Sequence, residues 1–112
     1  MKEIEKPWGK EELLEVNKKY VLKRITIDAG KKISLQYHNV KLETMYFLEG
    51  TGKKTINKTE SSIKQGDYIT IGPKIIHRIC ANTKLIFLET STPELDDVVR
   101  LEDDYDRLTK EK

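Results

Sequence analysis

From Tyr20 to Ile27 the chain alternates in character every second residue, with Val21, Lys23, Ile25 and Ile27 on one side and Leu22, Arg24 and Thr26 on the other. A repeat of two belongs to a strand, whose successive side chains point to opposite faces. Shorter runs between turn signals predict strands at Glu11–Val16, Ile33–His38, Glu43–Glu49, Lys53–Ile56, Thr59–Ile63, Tyr68–Ile71, Ile75–Ala81 and Leu85–Leu88, from apolar, aromatic or β-branched content more than from a strict period. Turn formers separate them: Asp28 to Gly30, Gly50 with Gly52, Asn57-Lys58, Gly66-Asp67, Gly72-Pro73 and Asn82-Thr83. The hairpin around Asn57-Lys58 is weakly apolar, which suits an exposed edge or an oligomer contact. Eight to ten short strands with no helical period before residue 94 predict an all-β chain, an antiparallel sandwich or barrel.

After Leu88 the pattern changes. Thr92, Pro93 and the run ELDDVVR predict one helical turn, with threonine as cap, proline at the first position and acids at the positive end. The acidic run LEDDYDR is expected to lie against the barrel through Leu101, Tyr105 and Leu108, and the closing TKEK to be disordered.

A length of 112 residues predicts one domain, with a barrel core over residues 9–90 and a tail over 91–112. Hydrophobic content of 37% beside 36% charged residues describes a soluble globular protein. No apolar stretch approaches the roughly 20 residues of a membrane span, and MKEIEK lacks the apolar core of a signal peptide. A cytoplasmic location and no membrane partner are expected. The single Cys80, between Ile79 and Ala81, reads as a core thiol. The net charge of +2 divides into −4 over residues 94–112, from eight acids and four bases, and +6 over the rest. Lysines spread this evenly, with few aromatic neighbours, argue against nucleic-acid binding. Most read as solubilising surface, and a minority could draw an anionic ligand to a site.

Chemistry concentrates in residues 30 to 50. Gln36 and His38 share one face of their predicted strand, and Glu43 follows at the head of the next. His77 comes after the Gly72-Pro73 bend. If the fold gathers them, two imidazoles, a carboxylate and an amide oxygen form a first shell for a divalent metal, zinc foremost, with iron, manganese or nickel as alternatives. Gln36 could instead orient a ligand, since an amide binds metal weakly. Neither histidine sits in a nucleophile motif, and there is no glycine-rich phosphate loop before a helix.

The spacing of Gly30, Gln36, His38, Glu43 and Gly50, followed by Gly66, Asp67 and His77, resembles the two motifs of the cupins, with glutamine at the first histidine position. Gly72, Pro73 and Lys74 stand where proline, any residue and glycine are usual. Together with KPWG, SLQYH and VVRLEDDYDR, the chain from Lys6 to Arg107 is similar to the cupin domain of type II mannose-6-phosphate isomerases. That resemblance implies a jelly-roll β-barrel with a short helical or irregular C-terminal tail. It also implies a metal held by Gln36, His38, Glu43 and His77, and interconversion of mannose 6-phosphate and fructose 6-phosphate.

Trp8 is then either an anchor for the N-terminal segment or a contact in the ligand cavity. Arg24 points into the cavity or stands exposed on the sheet, and Tyr46 is a further substrate candidate. Arg78, Arg100 and Arg107 are cations suited to phosphate. No catalytic base is assigned; Lys32, Tyr46 and a metal-bound water are the candidates. Asn39, Val40, Thr44 and Met45 replace further histidines and a tryptophan usual in bifunctional members. That favours an isomerase or epimerase acting on another activated sugar in polysaccharide synthesis as the alternative; a non-catalytic sugar-binding cupin is a further one. A homodimer paired through edge strands is expected.

Overall fold

The computed structural model describes residues 2–102. They form eleven strands: β1 (Lys2–Lys6), β2 (Gly9–Val16), β3 (Val21–Ile27), β4 (Leu35–Tyr37), β5 (Glu43–Glu49), β6 (Gly52–Ile56), β7 (Thr59–Ile63), β8 (Tyr68–Ile71), β9 (His77–Ala81), β10 (Leu85–Ser91) and β11 (Val99–Glu102). A six-stranded sheet runs β1-β2-β3-β10-β5-β8 and a five-stranded sheet β11-β4-β9-β6-β7, with every pairing antiparallel. The jelly-roll expectation holds in this form, but the strands do not close into one hydrogen-bonded barrel. Two sheets face each other instead, and side-chain packing seals the interior.

Alternation decides what enters that interior. On β10 the inward positions pass from apolar to polar along the strand, and on its antiparallel neighbours β3 and β5 the polar inward residues lie toward the strand start, at Lys23 and Glu43, so the polar positions gather at one end of the sheet. In register, Leu85 lies opposite Ile27 and Phe87 opposite both Ile25 and Phe47; two residues on, Glu89 faces Lys23, and Ser91 faces Glu43. Phe47 and Phe87 pack with ring centroids 5.0 Å apart. Around them Met45, Ile63, Ile71, Ile79 and Leu85 complete a dry core, each at most 2% exposed. Apolar burial of this kind contributes about 25 cal/mol per Å², so one end of the sandwich supplies stability while the polar end stays available for chemistry.

Three local expectations are corrected. β1 was not foreseen, because KEIEK has a single apolar residue; it forms through hairpin pairing with β2, from Lys2 opposite Leu13 to Lys6 opposite Gly9. Gly9, at φ 152°, closes that hairpin where a Cβ would sit 2.0 Å from the Thr26 carbonyl oxygen, so only glycine fits. The helical turn expected at ELDDVVR is absent: bends lead into β11, where Val99 and Arg100 pair with Tyr37 and Gln36 of β4. The Asp97 carboxylate accepts hydrogen bonds from the loop after β4 rather than from a first helical turn. The strand expected at Ile33–His38 is only Leu35–Tyr37. Tyr105, Leu108 and the TKEK end lie outside the described residues.

The bend at Gly72-Pro73-Lys74 is made with Lys74 at φ 68°, in the left-handed region that glycine occupies in the motif. Its N–H donates to the His38 carbonyl at 2.6 Å. β7 is an edge with four of its five residues exposed. Among the described residues no helix is long and apolar enough to cross a membrane.

The β6–β7 hairpin turns on Asn57 and Lys58, at φ 46° and 76°. Two positive φ values define the tight turn for which Asn-Gly is preferred. A left-handed lysine is strained, so Lys58→Gly should raise stability by about 0.5–1 kcal/mol, the removed strain exceeding the added freedom of the unfolded chain. Urea unfolding reads this as a higher midpoint at constant slope; a lower midpoint contradicts it.

Candidate metal centre

Four elements bring the ligand candidates together at the polar end. Gln36 is the middle residue of β4, paired directly with His77, the first residue of β9. His38 follows β4 by one residue, and Glu43 opens β5 in the opposite sheet. All three ionisable groups are buried, at 0% exposure for His77, 2% for Glu43 and 3% for His38. His38 Nε2 stands 3.5 Å from Glu43 Oε1, and His77 Nε2 stands 3.6 Å from Oε2. One donor atom from each lies within 4.8 Å of the other two.

The ring orientations have a cause. His77 Nδ1 meets the Ile75 carbonyl at 2.9 Å, and His38 Nδ1 meets the Asp97 carbonyl. A carbonyl only accepts, so each Nδ1 carries the hydrogen and each Nε2 presents a bare lone pair. Both Nε2 atoms are buried with no hydrogen-bond partner. Two donors about 2.1 Å from one tetrahedral ion stand roughly 3.4 Å apart, close to the two imidazole–carboxylate separations. Orphaned nitrogens at that spacing fit a divalent metal. Gln36 Oε1 already accepts from Ser34 Oγ at 2.7 Å, and an amide oxygen retains a second lone pair.

Electrostatics favour an ionised Glu43. Burial opposes its charge, but His38 first, then Lys41 and His77, outweigh this and hold the carboxyl below its ordinary value. His38 is pushed up: burial works against protonation, and Glu43 with the Asp97 carbonyl overcomes it. His77 goes down because burial dominates.

The site opens into a cavity of about 370 Å³ walled by Trp8, Ile25, Ile33, Leu95 and Val98 together with charged groups from both sheets. Lys6, Lys23, Lys41 and Arg100 bring four cations, and Glu11, Glu43, Glu89 and Asp96 four carboxyls. Lys23 Nζ lies 3.2 Å from Glu11 Oε1, and Lys41 Nζ 3.8 Å from Glu43 Oε1. Burial of Glu89, with Glu43 nearby and only partial relief from Lys23, pushes its carboxyl up to about 7.

Of the residues the sequence put forward, the structure gathers Gln36, His38, Glu43, His77, Trp8 and Arg100 on one cavity or its ligand cluster. Trp8 is also 5% exposed and part of the core, so anchor and cavity wall are one role. Arg24 faces outward, its Nε and Nη2 each donating to a Glu12 carboxylate oxygen at 2.9 Å. Tyr46, 46% exposed, lies on the outer face of β5. Arg78 is outside the cavity wall and donates to the carbonyls of Ile33 and Glu102 at 2.8 and 3.3 Å. Arg107 lies outside the described residues. The sequence reading missed Lys23, Lys41 and Glu89. Lys23 was visible as a charged position on the apolar face of an alternating strand, whereas Glu89 lies past the expected Leu85–Leu88 and faces inward because β10 runs on to Ser91.

Two facing antiparallel sheets with this ligand cluster between them define a cupin. The sequence pattern described as Mannose-6-phosphate isomerase C-terminal matches residues 1–103, and the chain belongs to that family. It is 32% identical over 112 residues to the mannose-1-phosphate guanylyltransferase ManC of Salmonella typhimurium, covering 96% of this chain and 23% of that protein. It is 30% identical over 116 residues to the xanthan biosynthesis protein XanB of Xanthomonas campestris, covering 95% of this chain and 24% of that one. The chain thus spans less than a quarter of the length of these relatives. Among solved structures it is similar to KdgF from Halomonas sp., with TM-score 0.78, 12% identity and 86% and 89% of the two chains covered. An RmlC-like cupin from Shewanella frigidimarina gives TM-score 0.71 and 20% identity, with 78% of each chain covered.

Raised in the folded state, Glu89 holds its proton where an unfolded glutamate has lost it. Its contribution to stability is therefore full below about pH 4.5 and is lost as pH rises through about 7. In chelator-treated protein, melting followed from pH 5 to 8 should show wild type losing stability relative to Glu89→Gln, by on the order of 3 kcal/mol at most. Parallel curves for the two proteins contradict this assignment.

Proposed function

We propose that this domain is a metal-dependent sugar-phosphate isomerase that interconverts mannose 6-phosphate and fructose 6-phosphate. The observation that carries the reading is the cluster of His38, Glu43 and His77, whose two bare Nε2 atoms are buried beside a cavity lined with four cations. Membership of the family supports the substrate class.

The reaction moves a proton from C2 to C1 of the sugar through an enediol while a second proton passes from the C2 oxygen to the C1 oxygen. His38, Glu43 and His77 would hold a divalent ion, with Gln36 as a further oxygen donor, and the ion would supply Lewis-acid stabilisation of developing oxyanion charge. Glu89 faces the same cavity with its carboxyl pushed up to about 7, which suits a group that must take and return a proton near neutrality. Lys6, Lys41 and Arg100 offer charge for the phosphate. The walls formed by Trp8, Ile25, Ile33 and Val98 limit access of water to the reacting carbons.

A second reading is an isomerase or epimerase on another activated sugar. It is favoured by relatives whose names concern mannose 1-phosphate and xanthan synthesis, and by Asn39, Val40, Thr44 and Met45 at the departing positions. A non-catalytic sugar-binding cupin is the third.

Metal-loaded protein should convert mannose 6-phosphate to fructose 6-phosphate, and His77→Ala should lower kcat/KM by about 100-fold or more, a loss of at least about 2.7 kcal/mol of transition-state stabilisation. Turnover of a different sugar in a panel of aldose phosphates and activated sugars selects the second reading. No turnover of any, with ligand binding intact in His77→Ala, selects the third.

A further inference from the structure

Between the ligands His38 and Glu43 lie four residues, Asn39 to Leu42, and all four of their backbone N–H groups go to the segment that joins β10 to β11. The Asp97 carboxylate accepts three of them, from Asn39 at 2.9 Å on Oδ1 and from Val40 and Lys41 at 2.8 and 2.9 Å on Oδ2. Thr92 Oγ1 accepts the fourth, from Leu42 at 3.0 Å, and the Thr92 N–H donates back to the Leu42 carbonyl at 3.0 Å. Asp97 has a second hold, since its main-chain carbonyl meets His38 Nδ1.

We propose that Asp97 is a positioning residue for the metal centre: through its side chain it fixes the loop joining two ligands, and through its main chain it fixes the tautomer and direction of one of them. Three N–H donors converging on one carboxylate are charge-assisted bonds, roughly twice as strong as neutral ones. They set the distance between the residues that carry the imidazole and the carboxylate. With the loop pinned, the Asp97 carbonyl stays in front of His38 Nδ1, which keeps the hydrogen there and leaves Nε2 bare. Released, the loop would exchange its N–H groups for water, and the His38 ring would lose the partner that selects one tautomer. The histidine on β9 needs no such device, because its own Nδ1 is held by Ile75 two residues away.

The inference rests on the reading of His38, Glu43 and His77 as a metal centre, and its test separates the two. Zinc is titrated into the full chain against a competing chelator for wild type, Asp97→Asn and Asp97→Ala. Independently, long-range nitrogen–proton NMR of the metal-free proteins at about pH 9, above the ordinary imidazole range, reads the tautomers of both histidines. Asp97→Ala should weaken zinc binding about 10–100-fold, as loss of a ligand-orienting group does. Asp97→Asn, which keeps one oxygen for Val40 and Lys41, should fall between the two. His38 should pass from a single Nδ1–H tautomer in wild type to a mixture in Asp97→Ala, with His77 unchanged. Zinc affinity within about threefold of wild type in Asp97→Ala, or a single His38 tautomer retained there, overturns the proposal. Should Asp97→Ala fail to fold, Asp97→Asn alone decides by the same two readouts. If wild type takes up none of zinc, iron(II), manganese or nickel in the same titration, the metal reading fails, and the His38 tautomer by itself judges Asp97.

Discussion

Glu43 is 2% exposed, and an ionised carboxylate removed from water is costly unless charge and hydrogen bonds replace the solvent. Its surroundings do so only in part. Two imidazole nitrogens stand 3.5 and 3.6 Å from its oxygens, and the nearest ammonium, on Lys41, is 3.8 Å away. None of these is a close hydrogen bond. The imidazoles share the deficit, since both Nε2 atoms are buried without partners. Two imidazole nitrogens without partners beside a buried carboxylate, at the wall of a cavity, describe a place that fits a positive charge shared by several donors.

The rest of the molecule follows from having to build that point. Glu43 comes from the six-stranded sheet, Gln36 and His77 from the five-stranded sheet, and His38 from the loop passing between them. The site therefore exists only when the two sheets close on each other. Closure is driven at the other end, where Phe47, Phe87, Ile27, Ile79 and Leu85 pack at 1% exposure or less. One set of alternating strands thus does two jobs along its length, and the change from apolar to charged inward residues on β3, β5 and β10 marks the border between them.

Much of this was legible because strand alternation is a local property. The strands from β2 to β10 appear in the sequence as short runs between turn formers, most clearly alternating at β3, and the ligand cluster as a spacing of glycine, glutamine, histidine and glutamate. What was not legible depends on partners distant in the chain. β1 is polar and forms because β2 offers it a ladder. ELDDVVR carries good helix-starting residues, yet Asp97 satisfies a loop 56 to 58 positions earlier, and Val99 finds β4. Arg24 was favoured for its chemistry, although the alternation placed Lys23 with Ile25 and Ile27 on the inward face. There the residue type misled and the period did not. Lys6 and Lys41 reach the cavity from a hairpin end and a loop, and no local pattern distinguishes them from surface lysines.

The central claim is that His38, Glu43 and His77 hold one cation between the sheets. Anomalous X-ray scattering on crystals of protein purified without chelators, with elemental analysis of the same sample, tests it most directly. The account predicts one transition-metal ion per chain, about 2.0–2.2 Å from both Nε2 atoms and a Glu43 oxygen. Full-length protein with no ion in that position, and with the imidazoles hydrogen-bonded to Glu43 or to water in its place, would contradict it.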